Sequence, residues 1–292
     1  HLTSDYVRSR YLLAMLAVAS LDEATLTRTM ETAGRRIGSD YELARVLMAT
    51  AGKYPLATPG ARSAFLQAAG TIESDYERAR VLMEILKRPD LNRDAARTAL
   101  ASAAALRSDY ERARVLVAIS DANLLDLSMQ PVYIRAIIGM SSDYERARVL
   151  MDLMDRQKLT PDSARMAMKA ASTMQSDYEK SRVLIHMVDK GLLPADQRRL
   201  YLDAVRGMKS DYERARSLIA ALDRLELDRN AVLAVLDTAS AIGSDHEKAR
   251  VLVGLAGKVS LAGDARSAYS KVAGQIGSES ERNRALAALA GD

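Results

Sequence analysis

The chain has no cysteine and no tryptophan, a single phenylalanine (Phe65) and only six prolines in 292 residues. Without cysteine there are no disulfides, thiolate metal ligands or cysteine nucleophiles, although this does not separate a reducing compartment from an oxidising one. Aromatic residues make up 4% of the chain against 48% hydrophobic residues overall, so alanine, leucine, valine and methionine must fill the interior. No apolar run reaches the 18 or so residues of a membrane span; the longest, around Leu12 to Val18, is interrupted or flanked by polar positions. Neither sign of charge dominates: 42 basic against 38 acidic residues give a net charge of +4, which is not the polycationic balance of a dedicated nucleic-acid binder. Glycine/serine linkers and low-complexity tracts are also missing, so no hinge divides the sequence.

What the chain does have is a repeat. The string SDYERARVL, or a near copy, begins at Ser4, Ser39, Ser74, Ser108, Ser142, Ser176, Ser210, Ser244 and Ser278, at intervals of 35, 35 and then 34 residues. Residues 1–292 therefore read as a single array of eight full repeats and a ninth partial one, with a C-terminal capping helix from Ser278. Below, positions are counted from each serine.

Each repeat is predicted to be a helical hairpin. In eight repeats the serine is followed at position three by glutamate, the capping-box pattern in which two unpaired backbone amides are satisfied reciprocally; Val7 is the exception. Apolar residues then recur at positions five, eight, nine and twelve, as in Ala79, Leu82, Met83 and Leu86. A leucine at position seventeen (Leu21, Leu56, Leu91, Leu125, Leu159, Leu193, Leu227, Leu261) marks the start of a second helix, with Asp22, Asn92, Asp126, Thr160 and Asp228 as capping residues and Pro161 in the first turn. One hairpin is too small to bury its own apolar faces, so neighbouring copies must supply the interior. The fold class expected is all-α, a right-handed α-solenoid of about seventeen helices. At the start of the chain Leu2 fills the slot that elsewhere closes a preceding second helix, which leads us to expect upstream sequence.

Arginine occupies position six in every repeat, and Arg45, Arg80, Arg114, Arg148, Arg182, Arg216 and Arg250 are the first candidate ligand-binding residues. At about 100° per residue this position projects opposite the apolar stripe, on an arc with the glutamate and positions ten and thirteen. Guanidinium forks suit carboxylate and phosphate, but the preceding glutamate and tyrosine offer each arginine an ion pair and a ring contact, and identical side chains in every repeat are what stacking requires. The structural role is favoured. Positions that vary are the other candidates: Glu84, Asp152 and His186 at position ten, with Asp121, Asp155, Asp189 and Asp223 at position thirteen. The repeated tyrosines (Tyr6, Tyr41, Tyr76, Tyr110, Tyr144, Tyr178, Tyr212) are expected to pack half-buried between hairpins, and methionines such as Met83, Met151 and Met174 to fill the core.

Catalytic chemistry finds no pattern. The string from His246 to Arg250 begins like a zinc-protease helix but has arginine where the second ligand would stand, and phosphate loops and nucleophile elbows are missing. We expect a non-enzyme with no metal or cofactor.

The repeat length resembles the tetratricopeptide class, and the occasional 35 that of pentatricopeptide RNA readers, although the tetratricopeptide tryptophan, tyrosine and proline positions are missing. The SDYE[RK]A[RK]VL string is more similar to helical repeats of bacterial envelope proteins, including regions C-terminal to BlaR-like membrane metallopeptidases. That resemblance spans all nine copies and implies an extracytoplasmic sensor or interaction region, periplasmic or envelope-associated; no catalytic residue transfers with it. The functional expectation is a scaffold binding a protein or peptide, acidic if the arginines take part, on a concave surface. A structural spacer or self-assembly module is the alternative, and nucleic-acid or polyanion binding is disfavoured.

Overall fold

The computed structural model describes residues 4–56 and 58–291; Leu2 and its slot lie outside them. The described residues form seventeen α-helices and one 3-10 turn, with no strand. They group into two compact bodies, His1–Gln157 and Lys158–Asp292.

In the N-terminal body the first helices of the repeats are α1 (Asp5–Val18), α3 (Asp40–Lys53), α5 (Asp75–Leu86), α7 (Asp109–Asp121) and α9 (Asp143–Arg156). The second helices are α2 (Glu23–Arg36), α4 (Pro59–Gly70), α6 (Arg93–Ala104) and α8 (Gln130–Ile138). First helices pack chiefly on the next first helix, α1 on α3 on α5 on α7 on α9, while second helices pack on one another, α2 on α4 on α6 on α8, and on the first helices that follow them. This is the two-layered, solenoid packing expected of hairpins that share their interiors. In the second layer Gly34 lets α2 approach α4: a Cβ there would lie 3.0 Å from the Cα of Ala68.

The C-terminal body repeats the plan. Its first helices are α11 (Asp177–Asp189), α13 (Asp211–Arg224), α15 (Asp245–Ala256) and α17 (Glu279–Ala290). Its second helices are α10 (Pro161–Ser172), α12 (Arg198–Arg206), α14 (Arg229–Ser240) and α16 (Gly263–Ala273), the turn Ala195–Gln197 leading into α12. Again like packs on like.

Side chains at positions seven, eight, eleven and twelve form the core of both bodies, for instance Val115, Leu116, Ile119 and Ser120 on α7 and Val251, Leu252, Leu255 and Ala256 on α15. Burying each such leucine or isoleucine is worth about 1.5–3 kcal/mol. In alternate repeats the second helix adds one fully buried ring at the same register: Phe65, Tyr133, Tyr201 and Tyr269. The phenols donate to main-chain oxygens of first helices, Tyr133 to Leu116 at 2.9 Å, Tyr201 to Ser217 at 2.7 Å and Tyr269 to Ala285 at 2.8 Å. Burial pushes the Tyr133 and Tyr201 hydroxyls far up and that of Tyr269 up to about 12.

The helix starts differ from a reciprocal capping box. The serine hydroxyl does accept from the backbone N–H at position three, at 3.3–3.5 Å in eight repeats. The serine's own N–H, however, donates to the aspartate at position one of the preceding repeat: Ser39 to Asp5, Ser74 to Asp40, Ser108 to Asp75 and Ser142 to Asp109 in one body, Ser210 to Asp177, Ser244 to Asp211 and Ser278 to Asp245 in the other, all at 2.6–2.9 Å. The neighbouring N–H of Gly38, Ser141 or Gly277 goes to the same carboxylate. These donors, Ser278 first and then Gly277, hold the Asp245 carboxyl below its usual value. SDYE is thus both a helix start and a link between repeats. The cap of α8 also differs from the simple pattern, because Asp126 accepts from the N–H of Met129 and caps the turn ahead of the helix. Thr58, which sequence reading passed over, caps α4 ahead of Pro59.

Candidate functional site

The first helices present one exposed stripe. Positions two, six, nine and thirteen follow one another by four, three and four residues, so they fall in line along the helix. Position two is its outermost member: Tyr6, Tyr41, Tyr76, Tyr110 and Tyr144 in the N-terminal body, and Tyr178 and Tyr212 in the C-terminal body, are 53–57% exposed. This corrects the expected half-buried packing between hairpins. The cause is the width of the buried arc. A first helix touches the first helices before and after it as well as the second layer, so position seven (Val46, Val81, Val115, Val149) and position three join the interior. The buried arc then covers about 200° of the circumference, and the tyrosine lies near the middle of what remains.

The same widening moves the glutamates. Glu42, Glu77, Glu111, Glu145, Glu179 and Glu213, projected onto the exposed arc, are only 6–9% exposed. Each sits beneath the arginine three residues later: Arg45–Glu42 at 3.0 Å, Arg80–Glu77, Arg114–Glu111, Arg148–Glu145 and Arg182–Glu179 at 2.8 Å, Arg216–Glu213 at 3.2 Å and Arg250–Glu247 at 2.7 Å. The arginine side chains remain 27–38% exposed. Guanidinium carbons lie over the tyrosine rings, 5.7 Å from the centroid for Arg10 and Arg45, 5.5 Å for Arg80 and 5.6 Å for Arg114 and Arg182. The partners of Arg80, Arg114 and Arg182 lie within their own helix. Direct links between repeats come from elsewhere.

One such link is position four, a residue that the sequence did not single out. Arg112 and Arg214 are buried and donate to the carbonyls of Leu106 and Met208 at the end of the preceding second helix, and Arg78 does the same to Ile72. Arg112 also reaches Ala136 at 3.4 Å, and Arg214 reaches Ala241 at 2.7 Å, tying in the second helix of their own repeat. A second link closes the other end of the first helices. Lys53 donates to the carbonyls of Leu16, Ala17 and Ala19 at 2.6–3.0 Å, and Arg88 to Ala51 and Tyr54 at 2.7 and 3.0 Å, neutralising the negative end of the preceding helix.

The variable candidates are not gathered into one site. Glu84 is half-buried and paired with Lys87 at 2.9 Å. Asp152 receives Arg156 at 2.7 Å, and the same arginine reaches Asp121 of the preceding repeat at 2.7 Å. In the C-terminal body Asp189 and Asp223 are likewise paired with the following repeat, through Arg224 at 3.1 Å and Lys258 at 3.2 Å. His186 is half-buried on α11. Position nine, assigned to the core from its periodicity, lies half-buried at the edge of the stripe: Met48, Met83, Val117 and Met151 in the N-terminal body, Ile185, Ile219 and Val253 in the C-terminal body. Met174, by contrast, is fully buried. The signal that could have placed the tyrosines and position nine was the valine at position seven, which widens the apolar arc past half a turn.

In the C-terminal body the stripe changes along its length: after Tyr178 and Tyr212, position two holds His246 and Ser280. His246 Nδ1 lies 3.0 Å from Glu281 Oε1. Among the described residues no group of three His, Cys, Asp or Glu side chains is placed to hold a metal ion, and no helix is long and apolar enough to cross a membrane. Comparison with protein-family models, curated proteins and solved structures finds no match.

Proposed function

We propose that the chain is a non-enzymatic scaffold that binds a protein or peptide segment on the exposed stripe of its first helices. One observation carries this reading: the most regular aromatic position of the sequence is more than half exposed, held against an arginine and bordered by half-buried methionine and valine. Tyrosine, arginine and methionine are the residues enriched at protein interfaces, and a ring braced by its neighbour loses little entropy on binding. The arginines are not required as direct cross-links, since position four, position fourteen and the Asp–Ser contacts do that work. A polyanion rail is disfavoured by the glutamate that neutralises each guanidinium. On the similarity of the SDYE string to repeats of bacterial envelope proteins, we infer an extracytoplasmic setting.

The test is selection of binders from a random peptide display library against the whole chain, followed by titration on the combined Tyr76→Ala, Tyr110→Ala and Tyr144→Ala variant. Loss of one aromatic anchor is expected to cost about 1–2 kcal/mol, so affinity should fall at least tenfold. Peptides that bind the variant as tightly as the parent would remove the stripe from the proposal. The alternative, a spacer or self-assembly module, is supported by the Asp–Ser link repeated from copy to copy; concentration-dependent growth in size without any selected peptide would favour it.

A further inference from the structure

We infer that the face of α1 opposite α3 is a docking site for a helix of a partner protein that brings a carboxylate to Arg10. This face adjoins the exposed stripe but is a separate surface, so the inference goes beyond the reading above.

The first argument is continuity with the packing already described. Positions three, seven, ten and fourteen are spaced by four, three and four residues, so they form a line along the helix. In the later first helices this line meets the first helix before it. Ser9 donates to Glu42, Ser217 donates to Ser181 at 3.1 Å, a Cβ at Gly254 would lie 3.6 Å from Leu222, and Lys53 caps the carbonyls of Leu16, Ala17 and Ala19. On α1 the same line consists of Val7, Tyr11, Ala14 and Val18. It is uncovered: Tyr11 is 64% and Val18 86% exposed, whereas the position-seven valines of α3, α5, α7 and α9 are fully buried. Together with Tyr6 and Arg10, the residues Val7, Tyr11 and Ala14 line a groove of about 380 Å³. The surface on which helices pack throughout this layer is thus open on α1, and a helix is the shape that fits it.

The second argument is what the line is made of. A preceding copy of this repeat would be met by glutamate at position three and by a cation at position fourteen, as Lys53, Arg88, Arg156, Arg224 and Lys258 reach back to the repeat before them. Here both are valine, so the face suits the apolar side of a different helix. Val7 has a further effect, because it leaves Arg10 as the one position-six arginine with no glutamate three residues before it. The Arg10 guanidinium lies over the Tyr6 ring and donates to the Tyr6 hydroxyl at 3.3 Å, and no carboxylate of the described residues pairs with it. Asp5, at the same end of α1, is already engaged on the side facing α3: one oxygen takes Arg8 at 2.7 Å and the other the N–H groups of Gly38 and Ser39 at 2.9 Å. Most of the five-donor fork of Arg10 is therefore left for a carboxylate from outside, at the edge of an apolar groove. A second copy docked α1 against α1 would set two such uncompensated cations at one interface, which charge opposes.

The experiment pans a display library, in which one helix of a stable helical bundle carries a randomised face, on the full chain with counter-selection on the Tyr11→Glu variant. The selected helices are then titrated by fluorescence anisotropy. They should carry aspartate or glutamate beside an apolar side, weaken as salt rises, and bind Tyr11→Glu at least tenfold more weakly than the parent. Arg10→Gln should abolish their preference for glutamate over glutamine at the acidic site. Val7→Glu gives Arg10 the glutamate of the other repeats and should weaken binding about fivefold, with circular dichroism unchanged. The combined Tyr76→Ala, Tyr110→Ala and Tyr144→Ala variant should bind these helices as the parent does; loss of binding there would place the helix on the stripe and overturn the inference. It is also overturned if no selected helix distinguishes the parent from Tyr11→Glu, if the selected helices are uncharged or basic, or if Val7→Glu and Arg10→Gln leave affinity unaltered. Growth in size of the chain alone with concentration, abolished by Tyr11→Glu, would assign the face to a second copy and overturn it as well.

Discussion

Arg112 and Arg114 stand two residues apart on α7 and face opposite surroundings. Arg112 is buried, its guanidinium spent on the carbonyls of Leu106, just past the end of α6, and of Ala136 in α8. Arg114 lies over the ring of Tyr110, bonded to Glu111 of its own helix and open to solvent along one side. The position that holds the array together is the less regular of the two, being Arg, Lys or Leu43 from copy to copy, whereas the surface arginine never changes. Regularity within a repeat protein therefore does not by itself mark the structural residues. A linking cation needs only to reach an oxygen, as Lys248 reaches Gln275 Oε1 at 3.5 Å; a cation lying on a ring and forking onto a carboxylate needs the guanidinium plane.

Substitutions should break this contrast in order of size. Arg112→Ala leaves buried carbonyls without their donor and should cost about 3 kcal/mol, read from urea denaturation. The buried phenols come next. Tyr269 titrates near 12 when folded and near 10 when unfolded, so its contribution of about 2 kcal/mol is complete below pH 10 and is lost as the pH climbs from 10 toward 12. Stability across that range, followed with tyrosinate absorbance, should be flatter in Tyr269→Phe. Asp109→Ala removes the acceptor for the N–H groups of Ser141 and Ser142 and should cost about 1.5 kcal/mol, with faster hydrogen exchange at those two amides. Arg114→Ala should cost about 1 kcal/mol, and part of this should return when Glu111→Gln is added, because the loss lies in the stranded carboxylate. Smallest of all, Tyr110→Ala should change stability by less than about 0.5 kcal/mol while weakening peptide binding. A cost for Tyr110→Ala close to that of Arg112→Ala would erase the distinction between surface and link.

Much of the architecture was legible from the chain itself. The recurring serine with its acidic neighbours fixes where each first helix begins, and the leucine at position seventeen marks where the second hairpin arm approaches. The surface was less legible, for a geometric reason. Periodicity locates the centre of an apolar stripe but not its width, and a helix flanked on three sides buries more than half its circumference. Glu111, drawn onto the surface by projection, is therefore inside, and Tyr110, drawn toward the interior, is outside. The link from Asp109 to Ser142 was hidden differently: identical motifs give no hint that the carboxylate of one copy serves the amide of the next.

The rings at Phe65, Tyr133, Tyr201 and Tyr269 recur in every other repeat, so the interior has a longer wavelength than the surface. Two hairpins, rather than one, are therefore the period of this buried position. Such a chain can lengthen or shorten by whole pairs and keep the alternation, whereas loss of a single copy would set two ring-bearing hairpins side by side. Growth of the protein by duplication is in this sense quantised, and its natural increment is the pair.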